Sequence, residues 1–139
     1  MIRVLVVGKL KAKWAQLADE DYRKRLTRFT RLELVEISDS DPEREGRQML
    51  TKLGQEPLIC CDPQGTTWTS EELARRLGEH GSLSFCIGGP DGLSDEVRRA
   101  ARESFAFGRV TLPHELARVT LLEQLYRGHT ILGGHPYHR

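Results

Sequence analysis

Five short apolar runs punctuate this chain, and between them apolar residues recur at three- and four-residue steps. The runs are Ile2–Val7, Leu32–Ile37, residues 58–61, Leu83–Ile87 and residues 109–112. A short run that is apolar throughout suits a strand covered on both faces. The stretches between the runs carry the period of amphipathic helices. Strand and helix therefore alternate five times. That pattern predicts an α/β fold, a mostly parallel sheet with helices on both faces. No internal repeat or linker interrupts it, so residues 1–139 are expected to form one domain.

The first helix is expected over residues 11–29, with Trp14, Leu17, Ala18, Tyr22, Leu26 and Phe29 on one stripe. The second starts at Pro42, runs to about Leu53 and stops at Gly54. Asp62-Pro63-Gln64-Gly65 has turn chemistry, and Ser70 caps a third helix ending near Gly78 or Gly81. Ser94 caps a fourth helix carrying Val97, Ala100, Ala101 and Phe105. Pro113 opens the last, with Leu116, Val119, Leu122 and Tyr126 on its stripe.

No apolar run approaches a membrane span. The segment from Met1 to Val7 is too short and too lightly charged for a signal peptide, which points to the cytoplasm. Cys60, Cys61 and Cys86 lie in apolar runs at spacings that match neither a zinc site nor a redox pair, so they are expected as core residues, with no metal. Net charge is only +1. Residues 1–31 nevertheless hold nine basic groups against three acidic, while residues 32–46 hold six acidic against one basic. A basic face can attract phosphates; charge alone favours a solvated helix face.

Ligands of open α/β sheets bind beyond the carboxyl ends of strands. Three loops are candidates: after Cys61, after Ile87 and around Leu112. In the second, Gly88-Gly89-Pro90-Asp91-Gly92 permits close backbone approach, or simply a tight turn. It matches neither a dinucleotide fingerprint nor a Walker loop, and a flavodoxin-like nucleotide enzyme would need a phosphate loop that is absent. The tail, His135-Pro136-Tyr137-His138-Arg139, is stiff and partly apolar, so it is expected to dock. His138 can exchange a proton near neutral pH and Arg139 can clamp an oxyanion.

The run from Cys86 to Ser94 (CIGGPDGLS), the run from Thr111 to Val119 (TLPHELARV) with its continuation LLEQLYR, and the terminal HPYHR together resemble the ribosomal large subunit methyltransferase H family. Gly8, Trp14, Tyr22 and Arg25 also fall in its pattern. The likeness spans the chain and is strongest after Leu83. The family is of the SPOUT class, so the resemblance implies an α/β sheet with a trefoil knot near the carboxyl terminus. It implies methyl transfer from S-adenosyl-L-methionine to N3 of a pseudouridine in large-subunit rRNA, within the ribosome. It also implies a homodimer in which one subunit's tail reaches the other's pocket, with no membrane or DNA partner.

Carried over by position, the donor pocket would use Cys61, Gly89, Gly108, Arg109, Val110, Thr111, Leu112 and Pro113. His138 would be general base or proton relay, Arg139 would stabilise charge on the ring oxygens or a phosphate, and Tyr137 would help to seat the base. The chain departs from the family pattern in a shorter segment at residues 38–46 and in Cys61, where a larger apolar residue is common. It departs also in Gly128-His129, expected to loosen the end of the last helix. The competing expectation is a non-catalytic RNA-binding or ribosome-assembly factor on the same fold.

Overall fold

A computed structural model describes residues 1–139. Ten elements alternate along the chain: β1 (Ile2–Val7), α1 (Lys13–Leu26), β2 (Leu32–Ile37), α2 (Pro42–Lys52), β3 (Leu58–Thr67), α3 (Ser70–Glu79), β4 (Leu83–Ile87), α4 (Asp95–Ala100), β5 (Glu103–Ala106) and α5 (His114–Leu132). The strands form one sheet in the order β2-β1-β4-β3-β5, and each neighbouring pair is parallel. Every strand is followed by a helix, and the two faces of the sheet take different ones. Successive side chains of a strand alternate between faces. Val4 and Val6 pack with Leu26 of α1, Leu73 and Leu77 of α3, and Leu121, Leu122 and Leu125 of α5. Leu5 and Val7 pack on the other face with Met49 of α2 and Val97 of α4. No helix is long and apolar enough to cross a membrane.

Local chemistry sets the ends of the helices. Asp41 caps α2 by accepting from the Arg44 amide, with Pro42 in the first turn. Thr69, rather than Ser70, caps α3 and forms a reciprocal capping box with Glu72. Ser94 caps α4 through the Val97 amide. Gly128 does not loosen α5, which runs on to Leu132. A Cβ at Gly128 would lie 2.6 Å from Leu77 Cδ1, so the glycine lets α5 settle onto α3. Nearer its start, buried Arg118 of α5 donates to Asp19 of α1 at 2.9 Å and to Glu36 of β2 at 2.8 Å.

Four further expectations need correction. Residues 62–65 do carry turn chemistry, since Asp62 Oδ1 accepts from the Gln64 amide at 2.9 Å. They form a bulge inside β3 rather than its end: Cys61 and Thr66 both register with Phe105 of β5. The fifth strand is Glu103–Ala106, not residues 109–112. Gly108 adopts φ +137° and Val110 is 71% exposed, so residues 107–113 leave the sheet as a loop. Phe105 consequently lies in a strand, stacked on Trp68 with centroids 4.4 Å apart, and α4 stops at Ala100. Finally, α1 spans Lys13–Leu26, and two members of its stripe, Trp14 and Leu17, are more than half exposed.

The bulge depends on Gly65, where a Cβ would lie 2.7 Å from the Ser104 carbonyl. Gly65→Ala should therefore force β3 and β5 apart and cost about 1–3 kcal/mol, a typical price of overpacking. Urea unfolding of the two proteins checks this; unchanged stability would contradict the close approach.

Candidate functional site

A parallel sheet brings the carboxyl ends of all its strands to one edge. From β1 the chain crosses outward to β2, while β4, β3 and β5 lie on the opposite side of β1. Open α/β sheets bind ligands beyond the carboxyl ends of their strands. A cavity of about 330 Å³ lies at this edge. Its walls come from the three candidate loops: Cys61, Asp62 and Pro63 after the regular part of β3, the glycine loop after β4, and residues 107–113 after β5. The start of α5 closes it with His114 and Ala117.

The glycine loop folds back on itself. The Gly92 amide donates to the Gly89 carbonyl at 3.0 Å, and Gly92 adopts φ +81°. A Cβ on Gly88 would lie 2.8 Å from the Gly92 backbone, so the fold-back tolerates no side chain there. Arg109 ties two loops together from outside the cavity. Its Nη1 donates to the carbonyls of Pro63 at 2.7 Å and Gly65 at 2.8 Å. Behind the wall, Glu115 of α5 accepts from the amides of Lys11 at 2.7 Å and Ala12 at 3.0 Å, fixing the entry to α1.

Seven of the eight expected pocket residues therefore border one cavity: Cys61, Gly89, Gly108, Val110, Thr111, Leu112 and Pro113. Arg109 is the eighth, a brace between the loops. The wall also includes residues that sequence reasoning did not single out. Phe107 was hidden by the misplaced fifth strand. Arg98, which pairs with Asp62 at 3.0 Å, gives no signal on an ordinary helix. Ile87, Leu93, Phe107 and Leu112 offer apolar surface for a flat ring, and the glycine loop offers backbone amides and carbonyls. Size and lining fit a ligand of nucleoside class. Burial pushes the Cys61 thiol well up, so it faces the cavity as a neutral group.

Tyr137, His138 and Arg139 do not border this cavity. After Gly133 and Gly134 the chain reverses and lies back along α5. Tyr137 donates to Glu123 at 2.7 Å, packs on Tyr126 and sits beneath the Arg127 guanidinium. Burial, then the hydrogen bond to Glu123, pushes its phenol pKa up, so it stays protonated. His138 Nδ1 accepts from Arg127 Nη1 at 3.1 Å. That leaves the proton on Nε2, which donates to Glu71 at the start of α3. Arg139 is exposed. Glu123 lies about 14 Å along α5 from His114, at about 1.5 Å per residue. The tail is docked, but on a different part of its own subunit.

A family model described as "Predicted SPOUT methyltransferase" matches residues 1–138. Ribosomal RNA large subunit methyltransferase H of Deinococcus radiodurans is 40% identical, covering 99% of this chain and 98% of that protein. The protein of the same name from Oenococcus oeni is also 40% identical, with the same coverage. That alignment runs to 157 positions, longer than the 139 residues here, so the relative holds residues this chain lacks. Among solved structures, a probable methylase family protein from Haemophilus influenzae Rd KW20 superposes with a TM-score of 0.60 at 12% identity. It covers 99% of this chain and 70% of that one, a likeness of fold alone.

Cys60 and Cys86 are fully buried, whereas Cys61 borders the cavity. Maleimide treatment of the native protein should modify Cys61 alone, slowly because its thiol is neutral. A ligand seated in the cavity should slow it further. Peptide mapping checks both points, and labelling that is indifferent to ligand would place Cys61 outside the binding surface.

Proposed function

The chain belongs to the SPOUT methyltransferase family, and from that membership we propose that it methylates N3 of a pseudouridine in large-subunit rRNA, acting on the ribosome as a cytoplasmic homodimer. Its methyl donor is S-adenosylmethionine. The observation that carries the reading is the joining of three separate strand-end loops in one nucleoside-sized cavity. Names of relatives at 40% identity over nearly the whole chain favour a catalyst over a binding factor without chemistry. We take residues 1–139 as one methyltransferase unit, and the class's trefoil path as part of the same reading.

The donor supplies an electrophilic methyl group on a sulfonium centre. Residues of the chain must hold it and manage the acceptor's proton. Ile87, Leu93, Phe107 and Leu112 would hold its adenine end and exclude water, while Gly89 and the backbone of residues 108–113 would supply hydrogen-bonding groups. N3 of pseudouridine is a weakly acidic imide, so its proton must leave as the new N–C bond forms. His138 accepts that proton, Arg139 stabilises charge on the ring oxygens, and Tyr137 helps to seat the base.

A subunit's own tail is docked along α5, away from its own cavity. The tail of a second subunit is the simplest source of these groups, and a two-fold pair would make both sites equivalent. Exposed Trp14 and Leu17 on α1 supply apolar surface for such a pair.

Incubating large ribosomal subunits or whole ribosomes with labelled donor, then mapping the product by mass spectrometry, tests the reading. A single N3-methylated pseudouridine is expected; label at another base or none would refute it. His138→Ala should bind donor as the wild type does, yet turn over ~100- to 10,000-fold more slowly, the usual reach of general-base catalysis. Full activity on ribosomes would remove His138 from the mechanism.

A further inference from the structure

Most sheltered acids of this chain have a cation. Asp19 has Arg118, Glu56 has Arg3, and Asp62 has Arg98. Glu45 of α2 is the exception. It is 4% exposed, yet no Lys, Arg or His lies within ion-pair distance. Its carboxylate receives one hydrogen bond, from the Ser40 amide to Oε2 at 2.9 Å. Its charged neighbours, Asp39 and Asp41, are themselves acids. Burial pushes its pKa up, the Ser40 amide works against that, and Asp39 pushes it up again, for a net rise. A sheltered carboxylate without a cation is costly for a fold to keep.

The position of Glu45 suggests what offsets that cost. A Cβ built on Gly89 would lie 3.5 and 3.6 Å from its two carboxylate oxygens. Gly89 borders the cavity, and Glu45 packs directly behind this residue without being a wall residue itself. The placement is rigid. Gly46, the next residue, packs under Ser94 and Val97 of α4, and Val7 lies beside Glu45 against the same side of Gly89. Asp62, the acid that borders the cavity itself, is already engaged with Arg98.

We propose that Glu45 is the counter-charge to the sulfonium of the bound methyl donor, and thereby the residue that lets the cavity favour the donor over its demethylated product. The inference rests on the methyltransferase reading. Methyl transfer forms an N–CH3 bond and breaks the S–CH3 bond, returning the electron pair to sulfur. The acceptor's proton leaves to the base, and sulfur becomes a neutral thioether. Before transfer Glu45 faces a cation; afterwards it faces none, which weakens the hold on the product. Glu45 touches no reacting atom; it determines specificity through charge.

Calorimetric titration of the full chain with S-adenosylmethionine and with S-adenosylhomocysteine reads this directly. The two ligands differ by the methyl group and the charge on sulfur. The wild type should bind the sulfonium form more tightly. Glu45→Gln keeps the shape and removes the charge, and should reduce that preference roughly tenfold, the scale of one close charge pair. Glu45→Asp should retain most of it. A merely structural role would weaken both ligands by the same factor and leave their ratio intact, which would overturn the proposal. Equal affinities in the wild type would overturn it even if the Gln variant failed to fold, while leaving the methyltransferase reading standing. A wild type that binds neither ligand would defeat both.

Discussion

The direction of the strands is the constraint on which the site depends. In a sheet whose five strands all run the same way, every carboxyl end emerges at one edge. Loops that begin some 25 residues apart in sequence, after Cys61 and after Ile87, must then meet in space, because β3 and β4 are neighbours. The parallel pairing of β3 with β5 brings residues 107–113 to the same place. Two features then turn proximity into a cavity. The glycine loop folds back too tightly for a Cβ at Gly88, and Arg109 binds the β3 bulge to the last loop.

One consequence is a division of labour. The donor cavity needs only groups that a single chain assembles by folding. The groups proposed to handle the proton lie on a tail that folds back along α5, where Arg127 and Glu71 occupy both nitrogens of His138. On the proposed reading, a second copy of the chain supplies the groups that the cavity itself lacks. The proposed role of Glu45 extends this division: a carboxylate packed behind a glycine acts on a ligand by charge and without contact.

Much of this was legible in the residues. Four of the five strands follow from their apolar runs, and the helices from their periodicity. Gly88–Gly92 and the Leu112–Pro113 region mark themselves by composition and, more specifically, by family resemblance. The errors have physical causes. Residues 62–65 have the chemistry of a turn, and only pairing on both sides of the bulge reveals a strand. Residues 109–112 look like a strand locally, but Phe105 and Ala106 win the sheet edge because they bury more. Arg98 and Glu45 are ordinary helical residues in sequence. What distinguishes them is what lies across from them, and spacing along the chain does not encode that. Exposed Trp14 and Leu17 likewise look like core residues until the fold leaves them uncovered.

The central claim is that the donor cavity of one subunit works with the tail of another. Mixing two inactive variants after co-refolding tests it most directly: Leu112→Arg, which puts a charged chain into the apolar wall of the cavity, and His138→Ala, which removes the base. Mixed dimers hold one intact cavity facing one intact tail, so methylation of ribosomes should reappear on mixing though neither parent shows it. A mixture as inactive as its parents, with mixed dimers demonstrably formed, would contradict the shared site.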